Sequence, residues 1–195
     1  MQIKEKLRIF KKNHQNKKNQ IIFIKINIKN NTIIDNLINK FLSKKNSFIF
    51  ESVEKRRIRG RYTIIGGDPD KIWEFNNKKI TLIQKDSKKI IKKQPYPYLR
   101  KLIENFNFPL PKGLPKLSAL LVGYFSYDVI RYIEKIPNKC KDDLKIPDIR
   151  LLRPKTLIIH DNLLKKVFFI KNCFGDQKIS NYNKYYTERL SELLF

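Results

Sequence analysis

The residues Ile21-Ile22-Phe23-Ile24-Lys25-Ile26-Asn27-Ile28 end in strict apolar–polar alternation. That pattern predicts a half-buried strand. Further on the period changes. Ile34, Leu37, Ile38, Phe41 and Leu42 recur at helical spacing, with Thr32 placed before them as an N-cap. Phe48 to Phe50 reads as a short strand running into Glu51-Ser52. Arg61 to Ile65 reads as another, closed by Gly66-Gly67 and the turn Asp68-Pro69-Asp70. Lys71–Phe75 and Ile80–Gln84 flank Asn76-Asn77 as a hairpin.

The prolines at 95 and 97 mark a loop, followed by a helix from Tyr98 to Phe106 and a second loop around Pro109, Pro111, Gly113 and Pro115. Leu120–Tyr124 is an apolar strand and Asp128–Glu134 a short amphipathic helix. Residues 137–154 read as irregular. Leu157–Ile159 and Lys166–Ile170 make a hairpin through Asp161-Asn162, and a helix runs from about Ile179 to Leu194. Strands come in hairpins, with helices between pairs rather than after each strand. The fold class expected is α+β, antiparallel sheets with packed helices, not a doubly wound fold. Residues 1–20 are expected to be a polar N-terminal arm, a short helix followed by a loose segment, and residues 21–195 one domain.

Composition changes the picture in one respect. The 195-residue chain carries 43 Lys+Arg against 18 Asp+Glu, a formal charge of +25. Such a charge points to nucleic acid or an anionic surface as partner. Most of these cations are lysines spread over nearly every segment, in a chain also crowded with Ile and Asn. Those are the residues that AT-rich codons encode. Arg, the better reader of phosphate and guanine, is scarce. A drifted codon composition accounts for the charge better than a selected nucleic-acid surface, which remains the alternative. Cys140 and Cys173 stand far apart without a CxxC partner, and His14 and His160 sit at no metal-ligand spacing. Reduced thiols and a cytoplasmic location are expected, with no membrane partner, because the apolar run at 21–28 is too short to span a bilayer.

No GxSxG, HExxH, P-loop or GxGxxG motif occurs, so no catalytic residues are assigned. Gly66-Gly67-Asp68-Pro69 lacks the lysine and following helix of a phosphate loop and reads as a tight turn. Three segments stand out by their density of polar and aromatic residues. The first is Phe50-Glu51-Ser52-Val53-Glu54 followed by Gly60-Arg61-Tyr62-Thr63-Ile64-Ile65-Gly66 and Asp68-Pro69. The second is Val122-Gly123-Tyr124-Phe125-Ser126-Tyr127-Asp128 with Arg131 and Glu134. The third is Asp142-Asp143-Leu144 with Ile146-Pro147-Asp148, leading to Ile158-Ile159-His160-Asp161. Arg61 is expected to pair with Glu51 or Glu54. Tyr124 and Tyr127 are expected in the core, and Asp128, Arg131 and Glu134 in an ion-pair network.

Taken in order, ES-V-E, GRY-[ST]-I-x-G-x-DP, VGY-x-x-YD-x-x-R-x-x-E and DDL-x-x-PD resemble the N-terminal region of anthranilate synthase component I, over roughly residues 21–195. The large subunit of aminodeoxychorismate synthase shares parts of the pattern. The resemblance implies a regulatory and scaffolding part of a subunit that converts chorismate to anthranilate and pyruvate. It implies a glutamine amidotransferase partner that delivers ammonia, a magnesium requirement, and feedback inhibition by L-tryptophan. The chorismate and magnesium residues of that family lie in a catalytic half to which nothing here corresponds, so this chain is expected to be inactive alone. The ES pair implies a tryptophan-site role for Ser52 first and Glu51 second. A hydroxyl and a carboxylate at a strand end suit an amino acid's ammonium and carboxylate; at Ser52 a backbone-satisfying role is the plainer alternative. The sequence departs from the pattern at Ala119, Leu120 and Ser126, where the family commonly has glycine.

Overall fold

The computed structural model describes residues 3–30, 32–51, 60–76, 79–85, 87–137 and 141–193. Its elements are four α-helices, α1 (Ile3–Gln15), α2 (Thr32–Leu42), α3 (Pro95–Glu104) and α4 (Tyr182–Ser191), and eight strands among the described residues. The strands are β1 (Gln20–Asn27), β2 (Phe48–Phe50), β3 (Tyr62–Asn76), β4 (Lys79–Gln84), β5 (Ser87–Ile91), β6 (Val122–Phe125), β7 (Ile149–Asp161) and β8 (Lys166–Cys173). The pairings β1–β8, β2–β3, β3–β4, β4–β5, β6–β7 and β7–β8 are antiparallel. The α+β expectation therefore holds.

The chain divides into two compact units. The first is Met1–Asp68, Phe108–Ala119 and Pro154–Phe195; the second is Pro69–Asn107 and Leu120–Arg153. In the first unit the strands follow the order β1-β8-β7-β3, with β2 also on β3. Alternate residues of β8 point to one side. Val167 packs with Ile34 and Phe41 of α2, with Ile65 and with Ile158. Cys173, six positions along β8 and on the same side, packs with Phe10 of α1 and with Tyr186 and Leu193 at the α4 end. Three helices thus cover one sheet face. Phe10 anchors α1, the helix expected within the polar N-terminal segment, which docks by its apolar side. On α2, Leu42 departs from the expected buried stripe and is exposed. On α4, Asn181 is the N-cap, its side chain accepting from the Lys184 amide.

The second unit holds the remaining parts of β7 and β3, then β4 and β5, with β6 pairing β7. Its core is Trp73, Phe75, Ile80, Ile149 and Leu151, and Tyr98, Leu99 and Leu102 of α3 pack against it. The Trp73 indole N–H donates to the Tyr98 hydroxyl at 3.1 Å.

Several expectations are corrected. Gly66 to Asp70 is not a turn, because β3 continues through it. β2 pairs with Phe48↔Gly66 to Phe50↔Ile64 and β4 with Ile72 to Asn76, so Pro69 falls where one partner strand gives way to the next. Pro154 is placed alike in β7. β6 pairs Ile149–Leu152 and β8 pairs Thr156–Asp161, which makes 149–154 strand rather than irregular. Pro95 is not in a loop but at the start of α3, a position that tolerates proline because the first helical amides lack partners anyway. The segment expected as an amphipathic helix at 128–134 is a 3-10 turn over Tyr127–Tyr132.

Candidate functional site

Glu51 directly follows β2 and is exposed. Ser52, the other residue of the expected tryptophan site, lies outside the described residues, as do Glu54 and Cys140. β2 is held against β3, and its Phe48 and Phe50 rings stand 5.3 Å apart on one side of the strand. Glu51 therefore leaves a strand whose position is set by the sheet.

Arg61 does not pair with Glu51. Its Nε and Nη2 grip the Asp161 carboxylate at 3.0 and 2.6 Å, a two-point contact of the kind guanidinium geometry favours. Asp161 is nearly fully buried at the end of β7 and also accepts from the Leu163 and Leu164 amides, both at 3.1 Å. The Asn162 amide donates to the Arg61 carbonyl at 2.8 Å. Arg61 thus ties the start of β3 to the β7–β8 turn and also lies 5.0 Å from the Tyr62 ring. Burial alone would raise the Asp161 carboxyl. The Arg61 hydrogen bond, the two backbone donors and the arginine charge outweigh it and hold the carboxyl below its ordinary value. Beside it His160 is buried with no hydrogen-bond partner on Nε2 among the described residues. Burial, reinforced by Lys165 and opposed by Asp161, holds its imidazole below the ordinary value. The buried Cys173 thiol is pushed up to about 11 by burial.

The second and third motifs are structural in detail. Gly123 pairs with Leu151 so closely that a Cβ would run into the Arg150 carbonyl oxygen. The Asp148 backbone joins Phe75 and Ser126 through hydrogen bonds of 2.8 and 2.7 Å, and its carboxylate accepts from the Tyr132 hydroxyl at 2.6 Å. Arg131 pairs with Asp128 at 2.7 Å and donates to the Ile136 and Pro137 carbonyls. Tyr124 and Tyr127 are not core residues. Tyr127 is 91% exposed, and Phe125, Ile133, Leu144 and Ile146 nearby in sequence are exposed as well. Pattern reading missed this because aromatic density signals burial equally well in a core and in an interface.

Among the described residues no three His, Cys, Asp or Glu side chains are grouped so as to hold a metal ion. No helix among them is long and apolar enough to cross a membrane.

Antiparallel sheet with packed helices is the architecture shared with the N-terminal region of anthranilate synthase component I. The crystal structure of that component from Streptococcus pneumoniae superposes with a TM-score of 0.54 at 19% identity, covering 81% of this chain and 34% of that one. At the level of sequence the chain is a relative of anthranilate synthase component 1. It is 28% identical over 167 residues to the protein of Cereibacter sphaeroides, covering 83% of this chain and 33% of the relative. It is 30% identical over 137 residues to that of Acetivibrio thermocellus, covering 70% and 28%. It is 36% identical over 135 residues to that of Acinetobacter calcoaceticus, covering 64% and 26%. The chain thus spans about a third or less of the length of these relatives. No family model matches.

Proposed function

We propose that this chain serves tryptophan biosynthesis as the regulatory and scaffolding N-terminal part of an anthranilate synthase component I. In this reading it performs no chemistry alone. Chorismate and magnesium are held by a catalytic portion, in the same longer protein or a separate chain, and ammonia comes from a glutamine amidotransferase subunit. Glu51 and Ser52 contribute to a tryptophan feedback site that is complete only with that portion. The location is the cytoplasm.

The observation that carries the reading is the exposed apolar stretch of the second unit. Tyr127, Ile133 and Leu144 are among the most exposed large apolar residues described. Large apolar side chains exposed in this number suit a contact with another protein surface. The similarity to about a third of longer relatives supplies the counterpart.

The test is to supply the purified chain with chorismate, ammonia and magnesium and follow anthranilate fluorescence. No product above buffer is expected, and sustained turnover overturns the proposal. A catalytic portion added in trans should give anthranilate formation that tryptophan inhibits. Replacement of Ser52 by Phe should relieve that inhibition without lowering the uninhibited rate.

A further inference from the structure

The first unit holds a cavity of about 510 Å³ on its helix-covered sheet face, where α2 and the end of α4 stand apart. That volume falls within the few hundred to about 1,000 Å³ usual for small-molecule sites. Its apolar wall is Leu37 and Phe41 of α2, Ile158 of β7, Phe169 of β8 and Leu193 after α4. Glu51 is not part of it.

The charges around it are unequal. Thr156 and Lys171 are register partners on β7 and β8, and the buried Lys171 Nζ donates to Thr156 Oγ1 at 2.9 Å. Glu192 is shared by two cations, Lys171 at 2.7 Å and Arg189 Nη2 at 2.9 Å. Asp68 is engaged by Lys155 at 3.2 Å. Lys40 and Lys44 also line the cavity, and among the described residues neither has a carboxylate partner. Lys44 Nζ instead lies 4.9 Å from the Phe41 ring. The buried Arg189 Nε has no hydrogen-bond partner among the described residues. One shared carboxylate facing two cations, with two further lysines at the rim, leaves an excess of positive charge over an apolar wall.

We propose that this cavity binds a small organic carboxylate with an apolar body. The anion meets Lys40, Lys44 and the Lys171–Arg189 pair, and the body lies on Phe41, Ile158 and Phe169. The lining also states what the site excludes. Both of its carboxylates are already paired with cations, so an amino acid's ammonium gains little there and meets the surplus positive charge. A simple carboxylate is therefore preferred over the zwitterion of similar shape. This inference is independent of the tryptophan-site reading for Glu51 and Ser52.

The test is a calorimetric titration of the whole 195-residue chain with three probes of one shape: indole-3-propionate, indole-3-propanol and tryptophan. Saturable binding of the propionate is expected, at least about tenfold tighter than either competitor and weakening as salt rises, because the rim lysines are solvent-screened. The double variant Lys40→Gln/Lys44→Gln changes two exposed side chains and should fold; its propionate affinity should fall about tenfold. Leu37→Trp should fill the cavity and abolish binding. Absence of saturable propionate binding, equal binding of the alcohol, or affinity unchanged in the lysine double variant would each overturn the proposal.

Discussion

The two units solve the same problem differently. In the first, α1, α2 and α4 all pack on one face of β1, β8 and β7, and apolar clusters centred on Phe41 and Phe10 close most of it. In the second, α3 and the 3-10 turn carrying Val129 and Tyr132 cover the Trp73–Phe75–Ile80 core, while other residues between Tyr124 and Ile146 leave large apolar side chains in solvent. A sheet face packed by three of its own helices needs less from a partner. A unit that spends Tyr127 and Leu144 on its surface is shaped to be covered by something else.

The sharpest way to break the comparison is to empty the second unit's core. Phe75 is 0% exposed, and Phe75→Ala should cost about 3–5 kcal/mol, read as a lower urea midpoint with an early loss of Trp73 fluorescence. If Cys173, the buried thiol of the first unit, becomes reactive only at a later transition, the units unfold separately; coincident transitions make them one cooperative body. Gly123→Ala forces a Cβ against the Arg150 carbonyl and should cost about 1–3 kcal/mol, by analogy with overpacking, with amide protection lost first in β6 and its β7 partner residues.

The next effect is pH dependence, and it belongs to the first unit. Folded His160 is held below its ordinary value near 6.5, so folding favours the neutral ring. Its contribution is present above that pH and lost as pH falls through the folded value. Folded Asp161 is held below its ordinary value near 3.8, so its contribution is present above that and lost at still lower pH. Stability measured from pH 8 to pH 3 should therefore fall in two steps. His160→Gln should remove the first step, and Asp161→Asn the second. The smallest effect on stability should come from the exposed stretch. Tyr127→Ser with Leu144→Ser should move the folding free energy by no more than about 0.5 kcal/mol per site, while fluorescence of a bound hydrophobic dye drops clearly.

Much of the fold was legible because it follows local periods. The alternation at 21–28 is β1, the 3.6-residue period is α2, and the hairpins around Asn76 and Asp161 are real. What escaped was decided by tertiary pairing. Gly66 to Pro69 and Pro154 look like breakers until β2, β4, β6 and β8 are seen to change over beside them. β5 (Ser-Lys-Lys-Ile-Ile) has no alternation, and only its ladder with β4 makes it a strand. The candidate site depends more on distant pairing. The Glu51 position follows from β2, but Arg61 finds Asp161 a hundred residues away, a pairing no local spacing announces. Lys171, inside an apolar strand, was the one local sign of the cavity, since a lysine there needs a partner.

The central claim is that the second unit's exposed apolar stretch receives a catalytic portion. The direct measurement is association of the purified chain with the part of the Acetivibrio thermocellus component 1 that this chain does not match, followed by sedimentation and by anthranilate formation. The account predicts a one-to-one complex that makes anthranilate, weakened at least about tenfold by Tyr127→Ser with Leu144→Ser. No complex at micromolar concentrations, or a complex indifferent to those two substitutions, would contradict it.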